Sequence, residues 1–193
     1  MVIKKHLPNL LSQSRILLGV LFLILFLRDT PTATLICLLL VIISLITDYL
    51  DGMLARRNNT VTMLGKWIDP FSDFLFFFFV YLSFYRTGLM PLVLFCLFLL
   101  RELSMYTIIR PLYMRHKLDP AAKLPGKIKT VFQISGSILL IGLFFLQQLN
   151  LIAFTALATC AHYVLGLLIT LSLASLYWYI RPLVIHLRRG SRS

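Results

Sequence analysis

A chain of 193 residues that is 59% hydrophobic, with a mean hydropathy of +0.88, is too apolar for a soluble globular domain and short enough to form a single domain. Nineteen Lys and Arg against seven Asp and Glu give a net charge of +12. These cations sit between apolar runs, which argues against nucleic acid as the partner and for anionic lipid headgroups and phosphate-bearing substrates.

In chain order, residues 1–13 read as an interfacial amphipathic helix, short and mixed in polarity, with Pro8 near its start. Six apolar stretches then qualify as membrane spans, at about 16–27, 34–54, 67–85, 89–109, 128–146 and 152–180. The expected fold class is therefore all-α and polytopic: one membrane domain over 1–193, with a six-span bundle at 14–181 and a basic tail at 182–193. The connections 29–33, 86–88 and 147–151 are short, whereas 110–127, with Pro111, Pro120, Pro125 and Gly126, reads as a loop or broken helix. Sixteen of the 19 basic residues fall on one side of this arrangement, and only Arg28 and Arg86 on the other. Cytoplasmic termini follow, with an even number of spans. Cys37, Cys96 and Cys160 lie inside apolar runs, match no zinc or redox spacing, and are expected to be small buried hydrophobes. His162, inside the sixth span, is expected to be a helix-packing hydrogen bonder, and the aromatic run 76–79 to be lipid-facing or core filler.

Four of the seven acidic residues, Asp48, Asp51, Asp69 and Asp73, lie at the ends of the second and third stretches. A carboxylate at membrane depth costs several kcal/mol unless it is paired, hydrated or metal-bound. Asp48 and Asp51 stand at i and i+3, Asp69 and Asp73 at i and i+4, so each pair shares one helix face. A short connection, with Asn58, Asn59 and Thr60 as its turn, makes the two helices antiparallel neighbours. Four like charges that converge need cations. All-oxygen ligands point to hard divalent ions, Mg²⁺ or Mn²⁺, and four carboxylates suit two of them. Gly52, Ala55 and Gly65 fall on the carboxylate stripes, where the lack of large side chains lets a ring or diphosphate approach the backbone, and Arg56 adds a cation at the rim. Small residues at this spacing also serve plain helix packing in lipid.

Read together, residues 48–73 run D-Y-L-D-G-M-L-A-R, eight residues, then G-K-W-I-D-P-F-S-D. This resembles the motif of the CDP-alcohol phosphotransferases, D-x2-D-G-x2-A-R-x8-G-x3-D-x3-D, at every fixed position. The resemblance implies an enzyme that binds two divalent cations through Asp48, Asp51, Asp69 and Asp73, with Asp73 also the general base on the acceptor hydroxyl. It implies that Gly52, Ala55, Arg56 and Gly65 line the CDP pocket, and that the protein is a homodimer. The opening Pro8-Asn9-Leu10-Leu11 with Arg15, the pair Arg101-Glu102, and Gly126-Lys127-Ile128-Lys129-Thr130-Val131-Phe132-Gln133 are similar to the bacterial phosphatidylglycerophosphate synthase branch. That likeness implies CDP-diacylglycerol as donor, with Asn9 and Arg15 at the lipid site, and glycerol 3-phosphate as acceptor in a bacterial inner membrane. Arg110, Lys127 and Lys129 flank the cytoplasmic mouth, where a phosphate monoester arrives; as plain positive-inside anchors they would bind lipid headgroups instead. Inositol phosphate, choline or serine are the alternative acceptors, and a divalent-cation transporter is the alternative from another class.

Overall fold

The computed structural model describes the backbone of residues 3–57, 65–116 and 124–190, and the side chains of 14–47, 53, 71–116 and 126–186. Among the described residues the chain is helical and carries no strand. The helices are α1 (Ile3–Phe26), α2 (Pro31–Arg57), α3 (Gly65–Arg86), α4 (Leu92–Ser104), α5 (Arg110–Arg115), α6 (Leu124–Gln148) and α7 (Phe154–Gly190), with a π-helical turn, Met105–Ile109, between α4 and α5. Among the described residues three stretches are long and apolar enough to cross a membrane: Leu92–Arg115, Gly126–Gln148 and Phe154–His186. Shorter apolar pieces are Ser14–Phe26 and Pro31–Thr47.

Three tight turns close the helices at one end. Gly88 and Asn150 adopt left-handed φ values of 79° and 59°. The following amides of Leu89 and Leu151 donate back to the carbonyls of Phe84 and Leu146, at 2.8 and 3.0 Å. This six-to-one bond satisfies carbonyls that the helix end leaves orphaned. Asp29, with φ 50°, shapes the first turn, and its carboxylate accepts from the Gln148 amide at 2.9 Å. Gln148 in turn accepts from Thr34 Oγ1 at 2.8 Å, which ties the start of α2 to the end of α6.

Helix α1 packs against both α2 and α3, α6 against α2 and α7, and α4 against α3 and α7. Phe26 sits at the centre of the core, its ring 4.7 Å from that of Phe144, 5.4 Å from Phe22 and 5.6 Å from Phe84. Gly19 lets α1 and α3 come this close: a Cβ there would stand 2.8 Å from Phe79 Cδ2 and 3.2 Å from the Phe76 backbone. Small residues at helix crossings are the usual device where lipid supplies no hydrophobic drive between helices. The outer surface is apolar, with Leu17, Val93, Leu100, Val131 and Leu167 exposed, which suits lipid and not water.

Several boundaries differ from the sequence reading. The segment expected as a separate interfacial helix is continuous with the first span in α1, because no Gly or Pro after Pro8 ends the helix before the apolar run. Residues 110–115 are helical rather than loop. Pro111 cannot donate to the preceding turn, and the widened π turn just before it takes up the register change. Helix α6 begins at Leu124, with Pro125 and Gly126 in its first turn. The tail is helical to Gly190, since Pro182 costs α7 one internal bond without ending it. The turn 58–60 lies outside the described residues. Cys37 is buried as expected, but Cys96 is exposed on the outer apolar face, where a thiol is tolerated as a small apolar group. His162 is also exposed rather than packed between helices. Phe76 and Phe77 are core residues.

Candidate active site

Charged side chains in apolar helices are costly, so their buried positions mark the chemistry. Glu102 near the end of α4 is 4% exposed, and its Oε1 accepts two cationic donors, Arg101 Nη1 at 2.8 Å and Lys129 Nζ from α6 at 2.5 Å. Arg101 also reaches α7, donating from Nε to the Ser172 carbonyl at 3.3 Å and from Nη2 to Ser175 Oγ at 3.0 Å. Ser175 is itself fixed by donating to the Ser172 carbonyl at 2.7 Å. Three helices are thus joined at one buried ionic point. Breaking one member would strand the others, which costs more than the network contributes net.

Arg101, Glu102 and Lys129 line a cavity of about 270 Å³, together with Asp73, Tyr106, Arg110 and Gln133. Arg110, brought in by the π turn, lies over the Tyr106 ring at 4.8 Å. Its Nε is buried and has no acceptor among the described residues. Gly126 is required at the lining because a Cβ there would meet Tyr179 Oη at 2.6 Å. The Tyr113 hydroxyl donates to the Tyr179 carbonyl at 2.7 Å and holds α5 against α7.

Asp73, on α3, closes the other side of the cavity. Arg15, fully buried on α1, donates from Nη1 to Asp73 Oδ1. The Asp73 side chain is 43% exposed, so one buried cation pins it while it keeps an open face.

Of the sequence-derived site residues, the structure brings Asp73, Arg110 and Lys129 to one cavity and puts Arg15 directly on Asp73. Lys127 is exposed and is not part of the cavity wall, since the residue two positions before Lys129 points to another side of α6. Asp48 and Asp51 lie on α2, and Asp69 with Asp73 on α3. The side chains of Asp48, Asp51 and Asp69 lie outside the described residues, as do those of Asn9, Ala55 and Arg56 and the surroundings of Gly52 and Gly65. Among the described residues no cluster of three or more His, Cys, Asp or Glu forms. Sequence reasoning assigned the acceptor end to Arg110, Lys127 and Lys129, and adjacent charges such as Arg101-Glu102 inside a span are expected to shape the site or to pair internally; the structure shows that they pair with each other. The stronger signal was that pair itself, two adjacent charges within an apolar span. Tyr106 carried no comparable mark.

The model of the CDP-alcohol phosphatidyltransferase family matches residues 5–168. A CDP-diacylglycerol–glycerol-3-phosphate 3-phosphatidyltransferase of Aquifex aeolicus is 36% identical over 149 residues, covering 75% of this chain and 80% of its own. The protein of the same name from Bacillus subtilis is 32% identical over 141 residues, covering 67% and 72%. A CMP-forming cardiolipin synthase of Streptomyces coelicolor is 35% identical over 116 residues, covering 58% of this chain and 54% of its own. With a family match over most of its length and a relative aligned along four-fifths of its own, the chain belongs to the CDP-alcohol phosphatidyltransferases.

Proposed function

We propose that this membrane enzyme transfers the phosphatidyl group of CDP-diacylglycerol to sn-glycerol 3-phosphate, releasing CMP. The observation that carries the reading is one cavity with Asp73 on one wall and Arg110 and Lys129 on another. Arg101, Arg110 and Lys129 set three cations against the carboxylate of Glu102, while the other lining carboxylate, Asp73, is paired with Arg15. A phosphate monoester, with roughly two negative charges near neutral pH, balances that excess. An acceptor oxygen would also satisfy Arg110 Nε. Choline, a cation, would be repelled, and serine has no dianionic group. Inositol phosphate fits the charge, but the names of the relatives from Aquifex aeolicus and Bacillus subtilis favour glycerol 3-phosphate.

Asp48, Asp51, Asp69 and Asp73 would hold two divalent cations, Mg²⁺ or Mn²⁺. The donor set fits such ions: all four are hard oxygen donors, paired at helical spacing. Bound there, the ions would neutralise charge on the diphosphate and on departing CMP. Asp73, with its open face on the cavity, accepts the proton of the acceptor hydroxyl as that oxygen bonds to the phosphatidyl phosphorus and the bond to the CMP oxygen breaks. Arg110 and Lys129 fix the acceptor phosphate so that the hydroxyl stays oriented toward phosphorus. Arg15, besides pinning Asp73, belongs with Asn9, Gly52, Ala55, Arg56 and Gly65 to the CDP-lipid side. The chain would lie in the bacterial inner membrane as a homodimer, with six crossings and with site and termini cytoplasmic.

The test is CMP release by the purified chain from CDP-diacylglycerol in detergent, with each candidate alcohol added in turn. Release dependent on glycerol 3-phosphate is expected; dependence on a different alcohol would replace the acceptor assignment.

A further inference from the structure

Glu102 presents a puzzle for a phosphate pocket. It is a buried carboxylate in the wall of a cavity that would take an anion. Both of its hydrogen bonds converge on Oε1, and Oε2 accepts none among the described residues. An ionised carboxylate only accepts hydrogen bonds, so Oε2 keeps acceptor capacity that Arg101 and Lys129 do not use, on a residue that lines the cavity. It would repel any acceptor that turned only phosphate oxygens toward it. That repulsion is replaced by a hydrogen bond when the substrate presents a hydroxyl to Oε2.

We propose that Glu102 is the specificity-determining residue that demands a second hydroxyl on the acceptor: Arg110 and Lys129 hold the phosphate, Asp73 faces the attacking hydroxyl, and Glu102 Oε2 accepts a hydrogen bond from the other one. The substrate class is thereby narrowed from phosphate-bearing alcohols to vicinal-diol phosphates. The inference rests on the acceptor reading above and adds a group that reading leaves without a task. Oε1, meanwhile, keeps Lys129 oriented, so one side chain both orders the phosphate site and reads the polyol.

The test compares sn-glycerol 3-phosphate with 3-hydroxypropyl phosphate, the same molecule without its middle hydroxyl, in the full chain with CDP-diacylglycerol. A hydrogen bond to a charged group corresponds to a preference of roughly 10- to 100-fold in kcat/KM for glycerol 3-phosphate. That preference should shrink to a few-fold in Glu102→Met paired with Lys129→Met, which removes anion and cation together and leaves Arg110 to hold the phosphate. Glu102→Gln, which keeps an oxygen but not its charge, should fall between. Because each preference is a ratio within one preparation, loss of folded protein does not distort it. Equal use of the two acceptors by the wild-type chain would overturn the inference without any variant, as would an unchanged preference in an active double variant. Failure of the acceptor reading looks different: the wild-type chain would turn over neither phosphate yet release CMP with another alcohol.

Discussion

Asp73 and Lys129 line one cavity, and the proposed function gives them opposite jobs that substitutions would separate. Asp73→Asn keeps size and polarity but cannot accept a proton, so transfer should fall by about 10²- to 10⁴-fold or more. The variant should still fold, and bound CDP-diacylglycerol should still raise its melting temperature; near-normal turnover would refute the assignment as base. Lys129→Met should raise KM for the acceptor by roughly 10- to 100-fold, with a smaller change for the CDP-lipid, as expected for loss of a charged hydrogen-bond donor. Lys127→Ala is the control, because Lys127 is exposed and off the cavity wall. Two lysines that look equivalent in sequence thus differ in structure by the rotation of two residues on a helix. Steady-state kinetics on the two variants tells them apart.

At the scale of helices, close approach of α1 to α3 positions Arg15 under Asp73. Gly19 permits that approach four residues after Arg15, since an added Cβ would crowd the Phe79 ring at 2.8 Å and the Phe76 backbone at 3.2 Å. Gly19→Ala should therefore cost about 1–3 kcal/mol through overpacking. It should also lower kcat by displacing Arg15, and both effects are readable from thermal unfolding in detergent and from CMP release. The π turn acts similarly at the other wall. It lets the chain continue as helix past the end expected at Ile109, and so carries Arg110 over Tyr106. Pro111 was read as a breaker because a proline cannot serve the preceding turn; a π turn that ends two residues earlier absorbs that defect, and nothing in residue type announces it.

For the whole molecule, the basic residues predict orientation. The turns at Asp29, Gly88 and Asn150 close one end, where only Arg28 and Arg86 supply basic charge. With that end outward, a C-terminal tag should resist protease in intact spheroplasts and be cleaved in inverted vesicles. The reverse pattern would overturn the cytoplasmic placement of the site.

What the sequence determined by itself was the class of molecule and of chemistry. Apolar runs of spanning length force helices in lipid, and eight fixed positions spread over residues 48–73, at matching spacing, name the family. Tertiary structure alone decided which charges meet. The adjacent Arg101 and Glu102 meet Lys129, 27 residues on from Glu102, with anchors in α7, and Arg15 is 58 residues from Asp73. Periodicity places a side chain on a face of its own helix, but only the packing of one helix against another says which faces enclose the same space. For that reason the exposed Lys127 and the cavity-lining Lys129 could be told apart only once the helices were assembled.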